Sequence, residues 1–160
     1  QIGAIKKALK IAKEADTLIS FDLADPFVVR NLRQEFIQLI EEYADIVFAN
    51  REEAHLLYES TPEVACNRIA ESGAIAAIKL GAEGALIGKG KDRYTIAPVA
   101  TQVIDTTGAG DMFASGFLYG ICQNKSLEVS GRIAATLASD VISRLGASVS
   151  DQGLSRAKIL

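Results

Sequence analysis

The sequence predicts an α/β fold on a mixed sheet, and three observations carry it. Over residues 1–80, short apolar runs alternate with amphipathic stretches, the rhythm of parallel strands covered by helices. From residue 85 the runs shorten and are separated by Gly, Lys and Asp, the pattern of antiparallel hairpins, which makes the sheet mixed. The composition is that of one ordinary globular domain: 160 residues, 49% hydrophobic, 23% charged and a net charge of −3. That balance is too apolar for intrinsic disorder and carries no basic footprint for nucleic acid. No apolar run approaches the ~18 residues that would cross a bilayer.

Residues 3–15 place apolar residues at helical spacing, with lysines on the other face. Thr17–Phe21 is a short apolar strand closed by Asp22 and the Asp25-Pro26 turn. Arg30–Tyr43 is helical, with Leu32, Phe36, Leu39 and Ile40 on one face. Asp45–Ala49 is a second, buried-type strand, and Arg51–Glu59 a short helix opening after Asn50. Pro62 takes the favoured first position of a helix that runs to about Ser72. Ala74–Leu80 is a third strand. Ala85–Gly88, Arg93–Ala97 and Val99–Val103 are short strand-like runs, followed by helices over Ala109–Gln123 and Ser126–Leu145, with Gly146 as terminator. No repeat, low-complexity run or long linker interrupts the order.

Cys66 and Cys122 are far apart and form no Cys-x-x-Cys pattern, so neither a zinc site nor a disulfide framework is expected. Such cysteine usage fits a reducing cytoplasm. His55, the only histidine, reads as a solvated helix residue. The chain begins Gln1-Ile2-Gly3 with no signal-peptide pattern, a start that processing or truncation would produce.

Open α/β sheets bind ligands beyond the carboxyl ends of their strands. Asp22–Asp25, Asn50–Glu53 and Lys79–Gly84 fall at such ends, and a fourth segment, Asp105–Asp111, joins a strand to a helix. The last, Asp-Thr-Thr-Gly-Ala-Gly-Asp, directly precedes a helix. A helix start offers unpaired N–H groups and partial positive charge, and glycines let an anion approach them closely. Asp111 at its mouth could take a proton from an attacking hydroxyl. The competing reading is an ordinary cap, with a Thr or Asp side chain satisfying the first N–H groups. The string fits neither the Walker A pattern nor G-x-G-x-x-G. Asp22 and Asp25 are spaced as Asp-x-x-Asp, not as the Asp-x-Asp of a phosphatase nucleophile, and read as turn residues.

Asp105–Asp111 followed by Met112-Phe113-Ala114-Ser115-Gly116-Phe117 resembles the C-terminal signature of the ribokinase-like (PfkB) carbohydrate and nucleoside kinases. Asn50-Arg51-Glu52-Glu53 after a strand is similar to that family's Asn-x-x-Glu. Lys79-Leu80-Gly81-Ala82-Glu83-Gly84 is similar to its nucleotide loop, and Arg144-Leu145-Gly146-Ala147 to a segment near its end. Phe21–Arg33, with Asp25-Pro26-Phe27, is most similar to the adenosine-kinase-like and related sugar-kinase branch. Order and spacing agree across essentially the whole chain.

The resemblance implies a ribokinase-like sandwich: a mostly parallel sheet between helices, with C-terminal antiparallel hairpins. Residues 1–160 would be the C-terminal, ATP-side half of one kinase domain, and possession of the acceptor pocket would fall to the missing N-terminal half. The activity implied is transfer of the γ-phosphate of ATP to a hydroxyl of a sugar or nucleoside. Asp111 would be the catalytic base, and Gly108, Ala109 and Gly110 the anion hole. Asn50 and Glu53 would organise Mg2+ through water. Lys79, Gly81, Gly84 and Thr107 would border the nucleotide, Lys79 either touching a phosphate or, as its strand-end position favours, pointing to solvent. Asp105 and Thr107 with Arg144 and Gly146 fall where many members build a monovalent-cation site, potassium being the candidate. A small-molecule acceptor and a homodimer are the partners implied, with no nucleic acid and no membrane. The alternative is a non-catalytic nucleotide- or anion-binding fragment of a split or decayed kinase.

Overall fold

A computed structural model describes residues 2–160; Gln1, the first residue of the 1–160 span, lies outside the described residues. The elements run α1 (Ile2–Glu14), β1 (Ser20–Asp22), α2 (Pro26–Asn31), α3 (Arg33–Tyr43), β2 (Ile46–Asn50), α4 (Arg51–Tyr58), α5 (Pro62–Glu71) and β3 (Ile75–Lys79). A 3-10 turn (Gly81–Glu83) then leads to β4 (Ala85–Lys89), β5 (Asp92–Ile96), α6 (Ala109–Cys122), α7 (Leu127–Val141) and α8 (Asp151–Ile159). The strands form one sheet in the order β1-β2-β3-β4-β5. β1 and β2 are parallel, with Phe21 opposite Val47, and α2 and α3 make the crossover. β3 to β4 and β4 to β5 are joined by five residues and by two, connections too short for parallel neighbours, so the sheet is mixed as expected.

Two compact units divide the chain: residues 2–78 with 88–93, and residues 79–87 with 94–160. In the first, β2 and β3 are buried along their apolar residues, and Leu9, Ile19 and Leu39 pack with Ala12, Phe21 and Tyr43. Local chemistry sets the helix starts. Asp25 caps α2 by accepting from the Phe27 N–H, and Thr61 caps α5 ahead of Pro62. In the second unit α6 and α7 lie close enough that a Cβ on Gly116 would sit 2.9 Å from the Ala134 Cα. Ile133, Leu137 and Ala157 join α7 to α8. Cys66 is buried, Cys122 is exposed, and neither is in a disulfide. Among the described residues no helix is long and apolar enough to cross a membrane.

Four expectations need correction. The single helix over Arg30–Tyr43 is two, broken at Leu32 (φ −120°, ψ 31°), and the first begins earlier, at Pro26. Val99–Val103 is no strand: residues 97–103 belong to no regular element and are exposed, and Pro98 has no N–H to give a ladder. The helix expected to reach Leu145 ends at Val141, because the Ile142 carbonyl is taken by the N–H groups of Ile104 and Asp105 at 2.8 and 3.3 Å. α8 was not foreseen; its buried residues are Gly153 and Ala157, which leave no apolar stripe to read.

Candidate active site

Like α3 after Leu32, α6 opens without a side-chain cap. Asp25, Asn50, Thr61, Ser126 and Ser150 each cap a helix with a side-chain oxygen. Gly108, before α6, has none to offer, and neither threonine beside it takes the place. Thr107 instead points its hydroxyl at Asp105 Oδ1 (2.7 Å), which also accepts the Thr107 N–H (2.9 Å). The Ala109 N–H turns back to the Thr106 carbonyl, and that of Met112 to Gly108. Between them, the N–H groups of Gly110 and Asp111 meet no backbone carbonyl among the described residues. The ordinary side-chain cap is therefore absent, and the start of α6 keeps its donors and partial positive charge.

Gly108 is required by position as well as chemistry. Its φ of +78° is left-handed, and a Cβ there would lie 2.7 Å from that of Ala147. Asp111 stands in the first turn of α6 with its side chain exposed. Above the helix start sits Lys79, at the end of β3. It is half-buried, and its Nζ lies 3.3 Å from the point a Cβ on Gly110 would occupy. The expectation that Lys79 points to solvent is thus corrected: the packing of unit two brings the ammonium over the start of α6. A cation and helix-start N–H groups converging on one space are a charge arrangement for an anion.

The loop after β3 is shaped by two glycines. Gly81 (φ +64°) opens the 3-10 turn and Gly84 (φ +89°) follows it, the Gly84 carbonyl accepts from the Leu80 N–H (2.8 Å), and a Cβ on Gly84 would strike the Ile96 carbonyl. The chain therefore passes flat against β5 only with glycine there.

Asp105, Thr107 and Gly146 are brought together: Asp105 Oδ2 accepts from the Gly146 N–H at 2.9 Å. That N–H, with the amide and hydroxyl of Thr107, holds the Asp105 carboxyl below the ordinary aspartate range. The Arg144 guanidinium turns away to Asp140 (3.2 Å) and does not join them.

In the first unit, Asn50 and Glu53 form a reciprocal capping box at the start of α4. Asn50 Oδ1 accepts from the Glu53 N–H (2.9 Å), while the two Glu53 oxygens accept from the Asn50 N–H and Nδ2–H, both at 2.7 Å. Glu53 is 2% exposed, so the carboxylate is held in one rotamer. Asp22 and Asp25 are turn and cap residues, accepting from Ala24 and Phe27. His55 is exposed, its Nδ1 3.1 Å from the Ser60 carbonyl.

The fold is that of the ribokinase-like α/β class, and its glycine-opened helix faces a strand-end lysine. The chain belongs to the pfkB family of carbohydrate kinases, which it matches over residues 3–152. It is 37% identical over 147 residues to an "uncharacterized sugar kinase" of Archaeoglobus fulgidus, covering 91% of this chain and 58% of that protein. A "probable sugar kinase protein" from Rhizobium etli has a similar structure: TM-score 0.90, 42% identity, covering 98% of this chain and 48% of that one. The adenosine kinase from Sinorhizobium meliloti is similar with a TM-score of 0.89 and 35% identity, covering 98% of this chain and 49% of that one. The chain thus spans about half the length of the relatives it matches.

Proposed function

We propose that this chain is the ATP-side half of a kinase that moves the γ-phosphoryl group of ATP to a hydroxyl of a sugar or nucleoside. The observation that carries the proposal is the start of α6: uncapped, opened by Gly108-Ala109-Gly110, overlooked by Lys79 and bearing Asp111 in its first turn. Phosphoryl transfer needs little covalent help, and fixed charge and positioning supply most of the catalysis. Asp111 takes the proton of the acceptor hydroxyl as its oxygen bonds to the γ-phosphorus, while the bond to the β-phosphate oxygen breaks and ADP leaves. The helix-start N–H groups and Lys79 stabilise charge on the transferring group. Gly81, Gly84 and Thr107 border the nucleotide.

Mg2+, when bound, would neutralise phosphate charge. Among the described residues no group of three or more His, Cys, Asp or Glu is placed to hold a metal directly. The donor set instead fits an ion held through water, since Mg2+ keeps several waters and the fixed, buried Glu53 carboxylate can orient them beside Asn50. Asp105, Thr107 and Gly146, with the backbone of Arg144, would supply oxygen donors to K+. The remaining half of the domain brings the acceptor pocket, in a cytoplasmic enzyme that pairs as a homodimer.

The test is Asp111→Asn in the complete protein, assayed against ribose, fructose and adenosine. The variant keeps the shape but loses the base, so turnover falls by orders of magnitude with ATP affinity little changed. Near-normal turnover overturns the mechanism. ATP binding without phosphorylation of any acceptor by the parent protein favours the non-catalytic nucleotide-binding alternative.

A further inference from the structure

Resting on that phosphotransfer reading, we propose that Asp140 is the positioning residue of the anion cradle: it closes the neck of the 141–149 turn, and that turn braces the loop from Asp105 to Gly108. Asp140 lies near the end of α7, and its side chain is only 8% exposed. A carboxylate so far out of water must be well paired to be tolerated. Its Oδ2 accepts the Ser150 N–H at 2.7 Å, and its Oδ1 accepts the Ser150 hydroxyl at 2.7 Å and Arg144 Nη2 at 3.2 Å. Ser150 is itself the cap of α8, its hydroxyl oxygen accepting from the Gly153 N–H. Gly153 packs directly on the Asp140 carboxyl, where a Cβ would not fit. One buried carboxylate thus ties α7 to the start of α8 and closes the nine residues between them into a loop.

What that loop presents reaches the cradle by contact. Its Gly146 N–H bonds Asp105 Oδ2, and Ala147 fills the space a Cβ on Gly108 would need. Just before the loop's tip, the Ile142 carbonyl holds the N–H groups of Ile104 and Asp105. Asp105 in turn holds Thr107, the residue before Gly108. Every link is a hydrogen bond or a van der Waals contact within one unit. Asp140 therefore acts on the reaction through the turn and Asp105, by fixing where the helix-start donors lie.

The experiment compares Asp140→Asn, Ser150→Ala and Asp111→Asn in the complete kinase, by steady-state kinetics and by hydrogen exchange of peptides across residues 143–149 and 130–138. For Asp140→Asn the expected loss is roughly 10- to 100-fold in kcat, the scale of a misplacement of about 1 Å. The acceptor KM stays close to that of the parent, and exchange quickens over 143–149 but not over 130–138. Ser150→Ala, which keeps the backbone donor, gives a smaller loss in the same direction and carries the test if Asp140→Asn does not fold. A folded Asp140→Asn or Ser150→Ala with parental kcat, or with lowered kcat and unchanged exchange over 143–149, overturns the proposal. If Asp111→Asn is inactive while Asp140→Asn is not impaired, only the role of Asp140 falls. If Asp111→Asn is fully active, the phosphotransfer reading falls and this role falls with it.

Discussion

The Lys79 Nζ lies 3.3 Å from the point a Cβ on Gly110 would occupy. Strand end and helix start, thirty residues apart in sequence, therefore share one small volume, and any anion held there meets a full charge on one side and backbone dipoles on the other.

Gly110→Ala separates stability from activity. Gly110 has no left-handed φ, and the atom facing the new methyl is the movable end of a lysine. Replacing a helical glycine with alanine stabilises by about 0.5–1 kcal/mol, so the melting temperature holds or rises. On the proposed reading the methyl occupies the phosphate's place, so turnover falls, by as much as the ~100-fold that follows loss of one preorganised donor. Thermal melts and initial rates on the complete protein check both. Parental turnover places the phosphate elsewhere.

The Asn50–Glu53 pair carries structure and, on the proposed reading, metal water together. Glu53→Gln turns an amide N–H towards the donors of Asn50 and destabilises the fold by about 1–3 kcal/mol. Asn50→Ala loses the cap, worth about 0.5–2 kcal/mol. Both variants should also need more Mg2+ for half-maximal rate. Chemical denaturation reads the first effect and a Mg2+ titration of the rate the second. Lost stability with unchanged Mg2+ dependence returns both residues to capping alone.

Tyr58 gives the first unit an alkaline limit. Burial, and then the charge of Glu41, push its pKa from 10.0 up to about 12. The folded state therefore holds the phenolic proton more tightly than the unfolded chain. Its contribution is fully present below pH 10 and is lost as the pH rises towards 12, on the order of 1–3 kcal/mol in all. Tyr58→Phe should flatten that part of the stability–pH curve, measured by urea unfolding from pH 9 to 11.5. An unchanged slope shows that other groups set the limit.

Much of this was legible in the sequence where local chemistry decides structure. Pro62 after Thr61 marks a helix start, Asn50 with Glu53 marks another, and the Gly-Ala-Gly run marks the third. The errors fall where tertiary partners decide. The apolar spacing of 127–145 continues past the helix's true end, which is set where Ile104 and Asp105, remote in sequence, claim the Ile142 carbonyl. Val99–Val103 has the apolar content of a strand but no ladder partner in this chain among the described residues. α8 is held by a cap and by the close fit of Gly153 on Asp140, which hydropathy does not register. Lys79 read as solvated because nothing in its neighbours along the chain shows that α6 begins beneath it.

The bare start of α6 also bears on descent. A helix opened by two glycines gives up the few tenths of a kcal/mol that separate a glycine cap from Ser or Asp, and about 1 kcal/mol for a glycine in place of alanine within its first turn. A lineage released from binding anions would gain by replacing Gly110, whose φ is ordinary and which faces only the movable end of Lys79, whereas Gly108 stays fixed by its left-handed φ and by Ala147. The box at α4 has no such tension, because stability alone preserves Asn50 and Glu53. Among descendants of this chain, then, the two motifs age differently: the second persists in active and inactive copies alike, whereas, on the proposed reading, loss of Gly110 dates the moment at which a copy stopped working.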